Sequence, residues 1–227
     1  MPGGQGLLLP GFWEVQMLAR KVVTRSGRKI RGHFPSLKMG HMVPWESLLE
    51  RDAILMFEFS HGVRTFRAQP EEVVYVHDDT TRRYYPDFEV TGKSGRLIHL
   101  EVKPEAMLAR PDVAQKLRAV ADHYRRQGRD YRILTDRTIR RDPLHRNLTL
   151  LGRFLKPAAG VEEVLPDLRA WLLQGNQPFS AVCDRFGASV AYRLIAGGYV
   201  HCDLMQPLTP QSRISHLTEG HHDQVLF

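Results

Sequence analysis

Cysteine is almost missing from this chain: Cys183 and Cys202 are the only two in 227 residues. There is no C-x-x-C spacing. His201 beside Cys202, with His216, His221 and His222 downstream, lacks the ligand spacing of a structural zinc site. A disulfide is not expected either, since nothing suggests secretion. Long apolar runs are missing too. Leu7-Leu8-Leu9 is broken by Pro10 and preceded by no basic residue, so it does not read as a signal peptide. No stretch approaches the roughly 20 apolar residues of a membrane span. The expectation is a cytoplasmic protein without a membrane partner. Acid is absent over one segment. Between Glu14 and Glu46 there is none, yet Arg20, Lys21, Arg25, Arg28, Lys29, Arg31 and Lys38 all fall there. With a formal charge of +7 and a pI near 9.6, the chain is attracted to polyanions. Solvated surface is the bland alternative for any basic run. Phosphate contact becomes the better reading only beside a phosphodiester chemistry.

That chemistry is present. Tyr85-Pro86-Asp87-Phe88 is followed by His99-Leu100-Glu101-Val102-Lys103-Pro104. The apolar run Leu97 to Lys103 reads as a buried strand, and Glu101 and Lys103, two apart, leave the same face. Ile98, Leu100 and Val102 fill the other face and supply a core. Asp87 opens a second strand, Asp87 to Val90, where Pro86 is tolerated at the start. Thr91-Gly92-Lys93-Ser94-Gly95 is a glycine-containing turn that sets the two strands side by side. Two carboxylates converging at strand ends make an oxygen-rich pocket for a hard cation such as Mg²⁺. A lysine beside them can orient a water and balance charge on a phosphate. This is the P-D-x(n)-E-x-K pattern of restriction-endonuclease-like nucleases. Alone it is short, and a surface hairpin with a Glu–Lys pair satisfies it equally.

The flanks narrow the choice. Pro44 to Phe59 reads as a helix, with Pro44 in its first turn and Trp45, Leu48, Leu49, Asp52, Leu55, Met56 and Phe59 at helical spacing. Asp112 to Gln127 is an amphipathic helix stopped by Gly128, and Tyr131 to Thr135 a further strand. Helix, acid-bearing strands, helix, strand is the order of the nuclease core.

These residues resemble a specific family. Pro44 to Asp52, Gln69-Pro70, Tyr85 to Phe88, Glu101 to Glu105 and Leu134-Thr135-Asp136 are similar to the N-terminal nuclease domain of TnsA. TnsA is the endonuclease subunit of heteromeric bacterial transposases. The similarity is strongest from residue 44 to 140. It implies that Glu50, Asp87 and Glu101 are the metal-site acids, joined by the Val102 carbonyl, and that Lys103 is the catalytic lysine. Some members carry glutamine where this chain has Glu101. Also implied are Mg²⁺, with Mn²⁺ as a substitute, and cleavage of the 5′ strands at transposon ends in double-stranded DNA. Two partners follow: a DDE transposase subunit (TnsB-like) and an AAA+ ATPase regulator (TnsC-like). The basic residues Arg25, Arg28, Lys29, Arg31 and Lys38 become DNA-contact candidates. A stand-alone restriction or repair nuclease of the same fold, and a non-catalytic DNA-binding adaptor, remain as alternatives.

Beyond Leu155 to Gly160, a small-residue linker, a second unit is expected. Asp142-Pro143 starts a helix through Leu144, Leu148 and Leu151. Helices are then read over Pro166 to Gln174, Phe179 to Phe186 and Ser189 to Ala196, followed by a strand Tyr199 to Leu204 and a frayed tail from Thr218 to Phe227. That order resembles a winged helix. Only Arg193 and Arg185 are basic near its recognition helix, so protein docking competes with base reading. The fold class expected is α/β, a restriction-endonuclease-like three-layer nuclease with a small C-terminal winged-helix domain. The expected divisions are a basic arm over 1–43, the nuclease over 44–155, and the winged-helix-like unit and tail over 160–227.

Overall fold

In the computed structural model, residues 30–77, 79–156, 160–218 and 225–227 are described. The described chain opens with a hairpin, β1 (Gly32–Ser36) and β2 (His41–Trp45), in which Gly32 faces Trp45. A Cβ at Gly32 would stand 2.4 Å from the Trp45 ring, so only glycine fits there. Helix α1 (Leu48–Phe59) follows, with Ser47 as its N-cap. Ser47 Oγ accepts from the Glu50 amide at 3.1 Å, and Glu50 Oε2 accepts from the Glu46 amide at 2.7 Å. This is a variant of the S-x-x-E capping box, with the return bond taken from the amide of Glu46, one residue before the cap. It corrects the expected start at Pro44, which instead pairs with His33 across the hairpin. A cap that satisfies the orphan amides of the first turn defines the start of a helix better than a proline does.

The body is a mixed four-stranded sheet of β3 (Val63–Ala68), β6 (Phe88–Gly92), β7 (Leu97–Val102) and β8 (Asp130–Leu134), in the order β3-β6-β7-β8. Between β3 and β6 the chain forms a separate antiparallel hairpin, β4 (Val73–His77) with β5 (Thr80–Tyr84). Strands β6 and β7 are antiparallel neighbours joined through Gly95 (φ 84°). Strands β7 and β8 are parallel, so their connection must cross over, and α2 (Glu105–Leu108) and α3 (Pro111–Arg126) supply it. Helices α4 (Asp136–Ile139) and α5 (Leu144–Leu151) then return to α1.

Strand β7 explains the layering. Leu100 and Val102 are buried with Phe57 of α1 and Phe88 of β6, in the main core. His99 and Glu101 leave the opposite face and are equally buried, 0 % and 2 % exposed. There they meet α3 and the β4–β5 hairpin, whose Tyr75 and Tyr84 cluster with Val120 and Tyr124. The result is three layers, α1 and α5 on one face and α3 with the hairpin on the other. This mixed α/β arrangement is the one expected. Helix α1 is buried nearly all round from Asp52 to Phe59, so it serves as a central helix and not a surface one. Buried Asp52 is balanced there by Arg51, by Arg140 (2.8 Å) and by His145.

The main core continues into the C-terminal part. Helices α6 (Leu165–Leu173), α7 (Phe179–Phe186) and α8 (Ala188–Ala196) place Leu168, Val182 and Leu194 in one cluster with Leu148 and Leu151. Two-residue strands β9 (Gln177–Pro178) and β10 (Arg213–Ile214) pair, and α7 turns into α8 at Gly187 (φ 87°). The strand expected at Tyr199 to Leu204 reduces to a single bridge, His201 with Ser215. The alternation behind that expectation is real, since Val200, Cys202 and Leu204 are buried. However, the Leu204 and Gln206 carbonyls accept from the Asn147 side-chain amide, at 2.9 and 2.7 Å, rather than from a partner strand. The last residues, 225–227, differ from the fraying expected of the tail, of which residues 219–224 lie outside the described residues. The Leu226 amide donates to Ser60 Oγ, the Leu226 carbonyl accepts from Arg141, and the Phe227 ring packs 5.3 Å from Phe57. Among the described residues no helix is long and apolar enough to cross a membrane.

Candidate active site

Asp87 sits just before β6, and two backbone contacts fix it. The Val102 amide of neighbouring β7 donates to Asp87 Oδ2 at 2.7 Å, and the Gln69 amide donates to the Asp87 carbonyl at 2.9 Å. Gln69 adopts φ 43°, a left-handed conformation that costs a residue with a side chain on the order of 1 kcal/mol. Register does the rest: Phe88 pairs with Leu100, which brings Asp87 alongside Glu101 and Val102.

Glu101 is held at both ends of its carboxylate. Oε1 lies 2.7 Å from Lys103 Nζ, and Oε2 accepts from the Tyr84 hydroxyl. Lys103 lies one residue beyond β7, and its amide donates to the Leu134 carbonyl at 3.0 Å, which prolongs the pairing with β8. Lys103 is 32 % exposed, and Asp87 and Glu50 are likewise half-buried, so the cluster is open to solvent on their side while Glu101 is not. Glu50 approaches from α1. Its charge bears on both Asp87 and Lys103, while its oxygens close the capping box through the Glu46 amide and the Ser47 hydroxyl.

The electrostatics show what the cluster lacks. Burial, and then the charges of Glu101 and Glu50, push the Asp87 carboxyl well above the usual carboxylate range. Burial likewise raises Glu50. For Lys103 burial alone would lower the pKa, but Glu101, Asp87 and Glu50 outweigh it, and the net shift is upward. Lys103 is therefore a cation at neutral pH. One lysine faces three carboxylates, so negative potential is left over. An all-oxygen donor set with surplus negative charge fits a hard divalent cation. The acids are not preassembled for one: among the described residues no three His, Cys, Asp or Glu side chains stand in a coordinating group.

The structure thus brings Asp87, Glu101, Lys103, Val102 and Glu50 together. Of the five basic candidates, Arg31 and Lys38 are among the described residues. Arg25, Arg28 and Lys29 fall outside the described residues, and Arg31 precedes β1. Lys38 directs its ammonium to the Phe57 and Ser60 carbonyls, at 2.8 and 2.6 Å. It caps the end of α1 remote from Glu50, roughly 10 Å along the axis at 1.5 Å per residue. Tyr84 is a site residue that the sequence motif does not include. It comes from the β4–β5 hairpin, which the β-branched and aromatic run Val73-Val74-Tyr75-Val76 could have revealed.

Residues 60–136 match the family described as TnsA-like endonuclease N terminal. No curated protein matches the chain. The matched segment holds Asp87, Glu101 and Lys103, and ends at Asp136, which accepts from the Glu105 amide at 2.6 Å and so anchors α2 just after the lysine. Glu50 lies outside it. Over residues 60–136, about a third of its length, the chain is thus similar to the N-terminal domain of TnsA-like endonucleases.

Proposed function

We propose that this nuclease is a divalent-metal-dependent DNA endonuclease that cuts the 5′ strands at transposon ends. The observation that carries the reading is the convergence of Asp87, Glu101 and Lys103 on one end of the β6–β7 pair, inside the TnsA-like segment. Asp87, Glu101 and the Val102 carbonyl, with Glu50 behind them, would hold Mg²⁺, and Mn²⁺ would substitute. When bound, such an ion supplies an acidified water and neutralises charge on the phosphate. The chain's own residues do the positioning. Lys103, kept protonated, meets a phosphate oxygen and orients it, while Asp87 is fixed by the Val102 amide. Arg25, Arg28, Lys29 and Arg31 extend the contact along the DNA backbone.

Specificity is proposed to come from partners, a DDE transposase subunit and an AAA+ ATPase regulator. The C-terminal unit, residues 160–227, supports docking better than base reading. Beside its helix pair α7–α8 and the β9–β10 ribbon, Arg185 is bound by Asp167 at 2.7 Å and lies over the Trp171 ring. The deciding experiment is Mg²⁺-dependent cleavage of transposon-end DNA by the purified chain, with and without the transposase and ATPase. Cutting only in the assembly supports the proposal. Sequence-specific cutting by the lone chain overturns the partner requirement in favour of a stand-alone nuclease, and no metal-dependent cutting under either condition leaves a DNA-binding adaptor.

A further inference from the structure

Behind the acids the sheet carries a buried layer of aromatic hydroxyls. The Tyr84 hydroxyl donates to Glu101 Oε2 and stands 3.0 Å from the Tyr131 hydroxyl. The Tyr131 ring stacks on Tyr124 at 5.1 Å and 12°, and Tyr124 donates to Glu71, which Arg129 holds at 2.6 Å. Tyr84 is 3 % exposed and so cannot turn to water.

The geometry points to Tyr84, supported by Tyr131, as a positioning residue that fixes the Glu101 carboxylate for a divalent cation. The inference rests on the nuclease reading above. A glutamate has three side-chain torsions, and a strand position sets only where the first begins. With Oε2 committed to Tyr84, the Glu101 carboxylate has one orientation, with Oε1 toward Lys103 and the open side of the cluster. Lys103 can yield that oxygen to a cation because it is partly solvated, whereas Tyr84 is buried against Glu101. Groups that hold a metal-binding carboxylate in this way typically influence metal affinity 10–100-fold.

The test is Mn²⁺ binding to the full chain, read as free Mn²⁺ by electron paramagnetic resonance, which needs no cleavage. Tyr84→Phe removes one oxygen and keeps the ring. It is expected to weaken Mn²⁺ at least about tenfold. Tyr131→Phe, one hydroxyl further back, is expected to weaken it less. In a Glu101→Ala background Tyr84→Phe should add nothing, because the group it positions is gone. If Tyr84→Phe binds Mn²⁺ as tightly as wild type, or weakens it equally without Glu101, Tyr84 is not a positioning residue. Should Tyr84→Phe fail to fold, unchanged binding by Tyr131→Phe overturns the pair. A wild-type chain that takes no Mn²⁺ at all sinks both this inference and the metal reading on which it stands.

Discussion

Val102 donates its amide to the Asp87 carboxylate at 2.7 Å, so one strand's backbone fixes the acid of its neighbour. The second acid, Glu101, is the residue before Val102 on the same strand. Displacing either strand by one residue would move Glu101 to the apolar face and detach Asp87. The two acids are therefore coupled through register, and the cluster is as rigid as the β6–β7 pairing.

Asp87 works against stability. Its folded pKa lies above its unfolded one, so its stabilising contribution is present below the ordinary carboxylate value of about 4 and is lost as pH rises through the folded value. In chelator-treated protein at pH 8, Asp87→Asn should melt higher than wild type by at least about 2 °C, the scale of about 1 kcal/mol in a chain of this size. The gap should close as pH falls toward 4, and Mn²⁺ binding should be lost throughout. Thermal unfolding against pH checks this. A wild type that melts above the variant at pH 8 would show the charge is not buried at a cost.

Lys103→Ala should lower the rate of 5′-strand cleavage in the assembled system by about 10²–10³, the loss typical of a preorganised charge-stabilising group. Circular dichroism should be unchanged, since the Lys103 amide keeps its bond to Leu134. Wild-type cleavage by this variant would remove Lys103 from the site.

Glu50→Gln separates capping from chemistry. Glutamine closes a capping box almost as well as glutamate, so stability should shift by under about 1 kcal/mol. Cleavage should fall at least about tenfold, as expected for a weakened metal-associated carboxylate. Glu46→Gln should cut near wild-type rate. The reverse ranking in parallel assays would move the functional acid one turn back.

The basic arm is tested by salt. Neutralising Arg25, Arg28, Lys29 and Arg31 together should reduce the slope of log affinity against log salt by up to about 3–4, close to one unit for each phosphate that the arm no longer neutralises. An unchanged slope assigns the arm to solvent or to a protein surface.

The C-terminus belongs to the core. Deleting residues 225–227 removes buried Leu226 and the Phe227 ring that packs on Phe57, and should destabilise the chain by about 2–5 kcal/mol, as a large-to-small core change does. Deleting 160–227 strips apolar partners from α5 as well and should produce a sticky, expanded nuclease. Equilibrium unfolding of the two truncations measures both effects, and full stability in the shorter one would contradict the shared core.

What was legible in the sequence was local. The i, i+2 spacing of Glu101 and Lys103, the glycine turn after β6 and the amphipathic run of α3 each follow from a period that a few residues impose. They sufficed to gather Asp87, Glu101 and Lys103 and to order α1, β6, β7, α3 and β8, but not to reveal the β1–β2 hairpin, β3 or the β4–β5 hairpin. Even the true start of α1 was written locally, in Ser47 and Glu50, though Pro44 drew the reading four residues too early. The tertiary structure alone decided what stands behind those residues. Nothing near Glu101 in sequence announces that Tyr84, 17 residues upstream, donates to it, or that Tyr131 supports Tyr84 from a parallel strand. Nor does a polar-looking tail announce that Leu226 reaches back 166 residues to Ser60. Periodicity fixes which face a side chain leaves. Which partner waits there depends on how distant segments close over one core, and that is settled by packing the whole chain at once.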